Sequence, residues 1–395
     1  MKITFVFPRI DRRNFTGGLY CALRHANELV FRGHEVSVVA YPKSAMPEWI
    51  DLKAKLIVPS KFKWPGGLPL GQASLAMTSY ALDYIGYGYK GDYYSRATAH
   101  AFMSDILPEA DITIATLWET ASLVAKHGKG RKAYFCQHYE PLFFDDPVDR
   151  SDVDASYSYG LTLIANSSWL KSRLENRLLA TAEDKKVYLA TNAIDPQVFM
   201  PCIPADRRIE GSSSTLRIIS YGGRDARWKG FIEMAEAVRA ARAALPSMTI
   251  EWNVYGPALL SPENHITPYT HLGFLSQAEL ASAYRMNDVL LSASWYESFP
   301  LFPIEAMASG LAVITTPNGT EDYAISEENC LVVEPRDVNS ITQAIIRLAT
   351  DRALLKRIAS SATQVANEHN WNLASSKMEK VLRHIISSSD VPTPP

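Results

Sequence analysis

Strand-like runs alternate with helical stretches along both halves of this 395-residue sequence. Short apolar, β-branched runs are typical of buried strands, whereas the stretches between them show the 3.6-residue periodicity of helices. Such alternation favours a parallel sheet covered by helices, because parallel strands need a long crossover connection. In the first half the predicted strands span 2–8, 35–41, 111–118, 132–139 and 162–167, and a predicted helix spans 17–34.

A second alternating series begins near residue 216 and predicts a second sheet. A polar run at 207–217 precedes it and indicates a domain boundary near 190–215. The predicted fold class is therefore α/β, with two Rossmann-like domains. The second series has predicted strands at 216–223, 248–256, 288–294 and 311–316, and predicted helices at 231–245, 277–287 and 340–369, the last containing a break.

Composition and cysteine spacing argue against several classes of function. The formal net charge is −2, so no global basic field favours nucleic-acid binding. No run reaches the ~18 apolar residues of a membrane-spanning helix, and the N-terminus lacks the apolar core and cleavage site of a signal peptide. The four cysteines form no CxxC pair and the nine histidines no HExxH pattern, so we expect no metal site and reduced, buried thiols.

The stretch Tyr296–Gly310, YESFPLFPIEAMASG, carries two glutamates, Glu297 and Glu305, eight residues apart. Prolines in its first part predict a loop, and IEAMASG predicts a short helix that Glu305 begins and Gly310 closes. The stretch follows the predicted strand 288–294, and ligands of open parallel sheets bind at the carboxyl ends of strands. Both carboxylates are therefore candidate ligand-binding groups.

The sequence resembles the family-4 retaining glycosyltransferases of the GT-B fold over nearly its whole length. A single E-x7-E pattern is a weak signal, but the matching blocks follow one another in the family's order. They are the Gly17-Gly18 turn opening the helix that runs to RGHEV, NAID (192–195) with Phe199, GGRDARWKG (222–230), VYGP (254–257), HLGFLSQAEL (271–280), the Ser294–Gly310 block, NGTED (318–322), ENCLVVEPRD (328–337) and Trp371 before the final helix.

The resemblance implies two facing Rossmann-like domains. Residues 1–190 would form an acceptor-binding domain and 191–375 a nucleotide-sugar-binding domain. Residues 376–388 would form a helix that crosses back to pack on the first domain, and 389–395 a disordered tail.

The resemblance also implies an activity. The enzyme would move a sugar from a nucleotide diphosphate sugar to a hydroxyl of a glycan or lipid-linked glycan, in cell-surface polysaccharide biosynthesis. Retention of configuration is implied, with no metal and no cofactor beyond the donor. A cytoplasmic location is implied, with peripheral contact at the inner face of the plasma membrane left open.

Arg224 and Lys229, in the glycine-rich turn 222–230, are the candidate phosphate partners. A guanidinium binds phosphate oxygens as a fork, and an ammonium acts as a compact point charge. Gly17 and Gly18 would let the backbone approach the diphosphate closely. The alternatives, which the sequence leaves open, are solvated surface cations and a plain helix-start turn.

By the resemblance, Glu305 binds the ribose hydroxyls of the nucleotide, and Glu297 binds the hydroxyls of the donor sugar. A carboxylate suits a vicinal diol because it accepts two hydrogen bonds. The alternatives are a helix-terminus charge for Glu305 and an exposed loop acid for Glu297. The amides of Phe299, Leu301 and Phe302 would face the phosphates.

Pro300 departs from the family's pattern, since it stands where glycine is common and removes one amide donor. Pro303 stiffens the same loop. This proline-rich variant, with QHYEPLFF (137–144), resembles a subgroup of bacterial polysaccharide transferases that includes rhamnosyltransferases.

His138 lies at the end of the predicted strand 132–139. By the resemblance, a histidine near this place contacts the donor sugar or its phosphate, and an imidazole can donate a hydrogen bond to the leaving group. Gln137 or Glu140 could hold that place instead.

Asp152 and Asp154 form a D-x-D pair, which binds a divalent metal in the other large transferase fold. Here the pair lies in a polar stretch that predicts a surface loop, so we expect no metal there. The acceptor side is less specified: Trp49, Lys61, Lys63 and Trp64 would suit a lipid-linked acceptor or a membrane surface, and Tyr93 and Tyr94 would stack on sugar rings, with an exposed loop and a core role as alternatives.

Three other function classes make different predictions. A nucleotide-sugar epimerase on the same architecture would convert its substrate without an acceptor. A nicotinamide-dependent dehydrogenase would need G-x-G-x-x-G after the first strand, where this chain has FTGGLYCAL. A non-catalytic sugar-binding module would lack the phosphate cations.

Overall fold

The computed structural model describes residues 1–13, 16–59, 103–183, 186–201, 214–223, 226–256 and 267–388. These residues fall into two compact units. The first comprises Met1–Asn166, Leu170–Thr191 and the chain from Ala374 onward, and the second comprises Ser167–Trp169 and Asn192–Leu373.

A seven-stranded sheet forms the centre of the first unit, in the order β3-β2-β1-β4-β5-β6-β7. Every pair in it is parallel, as the alternation predicts. The strand order reverses between β1 and β4, so the loops that follow these two strands begin at a topological switch point. The strands are β1 Lys2–Phe7, β2 Glu35–Ala40, β3 Lys55–Ile57, β4 Ile112–Ala115, β5 Arg131–Cys136, β6 Thr162–Ala165 and β7 Tyr188–Leu189; the helices are α1 Gly17–Phe31, α2 Trp118–His127, α3 Pro147–Ala155 and α4 Ser168–Ala180.

A six-stranded parallel sheet forms the centre of the second unit, in the order β10-β9-β8-β11-β12-β13. Here the order reverses between β8 and β11, and the segments that follow these two strands carry Lys229 and the Ser294–Gly310 block. The strands are β8 Thr215–Tyr221, β9 Thr249–Tyr255, β10 Thr270–Gly273, β11 Val289–Leu291, β12 Ala312–Thr315 and β13 Leu331–Val332; the helices are α5 Phe231–Ala244, α6 Gln277–Arg285, α7 Leu301–Ala308, α8 Val338–Thr350 and α9 Arg352–Glu368.

The last helix, α10 (Trp371–Ser387), starts in the second unit and belongs to the first from Ala374 onward. Its side chains Met378, Leu382 and Ile385 are buried in the core of the first unit. The predicted helix 376–388 lies on this element except for its last residue, 388.

The prediction of a loop around Asp152 and Asp154 was wrong, because these residues lie in helix α3. Asp146 caps that helix by accepting hydrogen bonds from the amides of Val148 and Asp149, and Pro147 occupies its first turn. Both are ordinary helix-start signals, since a cap satisfies free amides and proline needs none there.

Candidate active site

The turn after β8 presents Lys229 at the switch point of the second sheet. It contains a short 3-10 helix, Arg227–Lys229, which ends at Gly230 with φ 71°. A Cβ atom on Gly230 would lie 2.1 Å from the carbonyl oxygen of Ala293, so only glycine lets the turn pack against the end of β11. Arg224, the other predicted phosphate partner, lies outside the described residues.

The loop after β11 is held through its backbone carbonyls. The Thr316 hydroxyl donates to the carbonyl of Ser294 at 2.6 Å, and the Asn318 amide donates to the carbonyl of Trp295 at 2.7 Å. The Trp295 amide in turn donates to the carbonyl of Trp228 at 2.7 Å. These bonds fix the loop to the turn that carries Lys229.

Gly319 supports the same loop from the other side. It has φ 85°, and a Cβ atom there would lie 2.4 Å from the carbonyl oxygen of Glu297. In the sequence, residues 318–322 stand out only as a block that matches the family; the contacts of Asn318 and Gly319 give that block a supporting role. The sequence feature that could have indicated this role is Gly319 itself, a glycine in the segment that follows β12.

Lys229 and Glu297 meet in an ion pair between Nζ and Oε1. The side chains retain 22% and 14% of their exposure, so the pair is partly desolvated and still open to a ligand. The Ser294 hydroxyl donates to the same Glu297 oxygen at 3.3 Å, and the Lys229 ammonium lies 5.8 Å from the centre of the Tyr221 ring. The structure thus brings together two residues that lie 68 positions apart in the sequence.

Glu305 lies in the second turn of α7, because the helix begins at Leu301 and not at Glu305 as predicted. Pro303 falls in the first turn, where a missing amide hydrogen costs nothing, and this explains the earlier start. The Glu305 carboxyl is buried, and among the described residues its Oε2 atom has no hydrogen-bond partner. Burial raises the pKa of Glu305 to about 8.

The N-terminus of α7 offers the amides of Leu301 and Phe302, which occupy positions without an intrahelical acceptor. Pro300 is the N-cap residue, and its carbonyl accepts a hydrogen bond from the Tyr323 hydroxyl at 2.7 Å. The Phe299 ring is buried against Tyr323. A phosphate contact for the amides of Phe299, Leu301 and Phe302 stays a prediction.

In the first unit, Gly17 and Gly18 open helix α1, and the Thr16 hydroxyl accepts from the amide of Leu19 at 3.4 Å. A Cβ atom on Gly18 would lie 3.2 Å from Cβ of Gln137, whereas one on Gly17 would meet nothing within 4 Å. Gly18 therefore permits close packing against the segment after β5, and the predicted diphosphate contact of both glycines stays a prediction.

His138 lies two residues beyond β5, which ends at Cys136 and not at 139 as predicted. Its half-buried ring packs on Phe143 with ring centroids 4.3 Å apart, and its carbonyl accepts from the Tyr157 hydroxyl at 3.3 Å. The preceding carbonyl, of Gln137, accepts from the Asn166 amide at 2.9 Å. The main chain of His138 is thus fixed at the carboxyl end of β5.

Glu140 is buried, and its Oε2 atom accepts from the amide of Trp118 and from the Tyr134 hydroxyl, each at 2.9 Å. Burial raises its pKa to about 8. This oxygen is engaged inside the first unit, so Glu140 is poorly suited to the donor contact considered as an alternative to His138.

Within the described ranges, no group of three or more His, Cys, Asp or Glu side chains could hold a metal ion. Asp154 instead forms an ion pair with Arg177 at 3.0 Å and accepts from the Tyr139 hydroxyl at 3.2 Å. Those bonds give the second acid of the D-x-D pair a structural role.

Residues 216–351 match the family described as glycosyl transferases group 1. The chain contains a glycosyl transferases group 1 domain. The matched region runs from the second residue of β8 to just beyond the end of α8, and so it carries Lys229, Glu297 and Glu305.

Two relatives match stretches of this chain that are longer than this domain. The O-antigen biosynthesis protein RfbC of Myxococcus xanthus is 24% identical over 297 residues, which cover 73% of this chain. A D-inositol 3-phosphate glycosyltransferase of Stackebrandtia nassauensis is 26% identical over 212 residues, which cover 49% of this chain. The matches span 22% of the Myxococcus protein and 48% of the Stackebrandtia protein.

Solved structures resemble the chain along almost its full length. The sucrose-phosphate synthase of Thermosynechococcus elongatus superposes with a TM-score of 0.68 at 17% identity, covering 98% of this chain and 100% of its own. Anabaena HepE in complex with UDP and glucose superposes with a TM-score of 0.65 at 15% identity, covering 96% and 99%. The fold is that of the GT-B glycosyltransferases, with two Rossmann-like domains built on parallel sheets.

In the part of the chain that the structure describes, no helix is long and apolar enough to cross a membrane. Lys61, Lys63, Trp64, Tyr93 and Tyr94, considered above for the acceptor side, lie outside that part. Trp49 is described, and its indole donates to the carbonyl of Asp11 at 3.2 Å.

Proposed function

We propose that the chain is a retaining, metal-independent glycosyltransferase of family 4. It moves a sugar from a nucleotide diphosphate sugar to a hydroxyl of a glycan or lipid-linked glycan. The observation that carries the proposal is the buried Glu305 carboxyl, whose Oε2 atom has no hydrogen-bond partner among the described residues. An unsatisfied buried oxygen costs about 1–3 kcal/mol, which a ligand hydroxyl would recover.

The ribose of the nucleotide supplies that hydroxyl. Its vicinal diol matches a carboxyl group, which offers two oxygens on one edge. With a pKa raised to about 8, Glu305 is largely protonated at neutral pH before the ligand arrives. A neutral carboxyl can donate one hydrogen bond to the diol and accept another from it, because each hydroxyl both donates and accepts.

Lys229 and Glu297, which form an ion pair, would bind the diphosphate and the donor sugar respectively. The ammonium meets the phosphate charge, and the Glu297 carboxylate accepts from the sugar hydroxyls. Arg224 and the amides of Leu301 and Phe302 add further donors to the phosphates. His138 donates a hydrogen bond to the donor.

In the reaction, the bond between the anomeric carbon and the phosphate oxygen breaks as the acceptor oxygen bonds to that carbon on the same face. The leaving phosphate takes the acceptor proton, so no separate general base is required. Stabilising negative charge on the departing diphosphate is the main task of the site.

The comparisons suggest which substrates to test first. The HepE structures contain UDP, glucose or UDP-glucose, and the Myxococcus relative is named for O-antigen biosynthesis. UDP-sugars are therefore the first donors to test. The QHYEPLFF segment adds a deoxythymidine diphosphate rhamnose as the second.

Binding calorimetry with UDP and with 2′,3′-dideoxy-UDP tests the ribose contact. We expect the unaltered protein to bind UDP at least about tenfold more tightly, since one hydrogen bond to a buried partner supplies about 1.4 kcal/mol. In Glu305→Ala this preference should vanish, whereas Glu305→Gln should keep part of it. Equal affinities for both nucleotides in the unaltered protein would refute the proposed role.

NMR of the transfer product would report whether the anomeric configuration is retained.

A further inference from the structure

Loops at the carboxyl edge of the first sheet meet around the buried side chain of Glu140. Its carboxyl oxygen Oε2 accepts from the amide of Trp118, the first residue of α2, in the segment after β4. The same oxygen accepts from the Tyr134 hydroxyl, in β5 itself. One carboxyl group thus ties the segment after β5 to the segment after β4.

The amide of Trp118 is a donor that the helix cannot satisfy. It lies in the first turn of α2, where amides have no intrahelical acceptor. The N-cap residue, Leu117, has no side-chain oxygen to serve it. Glu140 therefore supplies from a distant segment an acceptor that α2 lacks locally.

The Tyr157 hydroxyl makes a second connection to the same main chain. It accepts from the amide of Glu140 at 3.1 Å and donates to the carbonyl of His138 at 3.3 Å. The Tyr157 ring stacks on Tyr134 and on Tyr139, with centroids 5.7 and 5.8 Å apart. The backbone from 138 to 140 is consequently held by hydrogen bonds on a rigid aromatic stack.

We propose that Glu140 is the positioning residue that fixes His138 for its contact with the donor. The proposal rests on the function proposed above, in which His138 approaches the donor sugar or its phosphate. Glu140 acts by holding the backbone on the C-terminal side of His138, while Asn166 holds the Gln137 carbonyl on the N-terminal side. Its own carboxyl does not touch the substrate.

The expected protonation state decides which variants are informative. Burial raises the pKa of Glu140 to about 8, so the group is largely neutral at pH 7. A glutamine has nearly the same shape, and its amide oxygen accepts from both donors. A leucine has a similar volume but leaves the Trp118 amide and the Tyr134 hydroxyl without an acceptor.

Steady-state kinetics with a UDP-sugar and its acceptor compare Glu140→Gln and Glu140→Leu. We expect Glu140→Gln to retain most of kcat, and Glu140→Leu to lose at least about tenfold in kcat, since a misplaced catalytic group costs up to 10²-fold. The affinity for UDP alone should stay unchanged. Tyr134→Phe removes one of the two donors and should lose less, which keeps the test open if Glu140→Leu is poorly folded.

A double-mutant cycle separates positioning from general destabilisation. In a His138→Ala background, Glu140→Leu should cost no further kcat, because its effect passes through the histidine. The exposed Glu109→Gln provides the matched control and should behave as the unaltered protein. An equal loss with and without His138 would overturn the proposal, as would full kcat in a well-folded Glu140→Leu.

Carbon–proton NMR of histidine rings gives a readout that does not depend on activity. The His138 signals, assigned by their loss in His138→Ala, should move in Glu140→Leu and stay in place in Glu140→Gln. Unmoved signals in Glu140→Leu would overturn the positioning role even if the enzyme transfers sugar. Moved signals in a protein that transfers no sugar from any nucleotide donor would retain the positioning and refute the proposed function instead.

Discussion

At the scale of single residues, the site combines a partly exposed ion pair with a buried carboxyl group. The Lys229–Glu297 pair is partly exposed and can exchange partners with a ligand. Glu305 is buried, and one of its oxygens has no hydrogen-bond partner among the described residues. The E-x7-E spacing identified both acids, but burial depends on the tertiary fold, and no sequence pattern separates a buried acid from an exposed one.

The first residue-scale prediction concerns Glu305 and pH. Its folded pKa is raised from 4.5 to about 8, so between these values the folded state binds more protons than the unfolded state. The free energy of unfolding should therefore fall as pH rises through this window, by linkage. Urea unfolding at about pH 5.5 and about pH 8.5 should show a smaller fall for Glu305→Gln. Identical falls for both proteins would contradict the raised pKa.

The second residue-scale prediction concerns Lys229. Lys229→Met should lower kcat by about 10²–10³, the usual effect of removing one group that stabilises transition-state charge. Lys171→Met is the matched control, since Lys171 also pairs with a glutamate, Glu175, on an exposed helix face. Its kcat should not change. A Lys229→Met protein of normal kcat would exclude the lysine from the phosphate site.

At the scale of elements, glycine turns and side-chain bonds to carbonyls set the loop geometry. Gly230 and Gly319 allow contacts with Ala293 and Glu297 that any Cβ atom would block. The sequence placed most elements correctly, because the alternation of apolar runs is strong. It misplaced the start of α7, since prolines were interpreted as loop residues although proline is well tolerated in a helix's first turn. It missed α3, since the polar stretch around Asp152 and Asp154 was interpreted as a surface loop.

The element-scale prediction compares two glycines with similar backbone angles. Gly230 has φ 71° and no space for Cβ, while Gly33 has φ 84° and nothing within 4 Å. Gly33→Ala should cost about 1–2 kcal/mol, the strain of a left-handed residue. Gly230→Ala should cost more than ~3 kcal/mol and abolish transfer, because its turn must move away from Ala293. Equal costs in chemical unfolding would show that the turn adapts freely.

At the scale of the whole molecule, two parallel-sheet units share one chain that returns to the first unit through α10. The α/β class with two Rossmann-like domains was predicted correctly, because it needs only the order of strands and helices. The contacts of Glu140, Tyr157 and Asn166 were not predictable. They form between segments that become neighbours only because of the order of strands in the sheet, and no local motif marks them.

The whole-molecule prediction concerns the return of α10. Leu382 is buried in the core of the first unit, so Leu382→Ala should lower the free energy of unfolding by about 2–5 kcal/mol. Leu373 lies on the same helix and is 47% exposed, so Leu373→Ala should cost much less. Urea titrations of both variants provide the comparison. Similar small costs would mean that α10 does not stabilise the first unit.

A crystal structure of the protein soaked with UDP would show whether Glu305 binds the ribose and Lys229 the diphosphate. We expect a ribose hydroxyl within about 3.2 Å of the Glu305 carboxyl and a phosphate oxygen within about 3.2 Å of the Lys229 ammonium, the range of ordinary hydrogen bonds. A nucleotide bound elsewhere, or one bound with Glu305 still out of reach of its ribose, would contradict it.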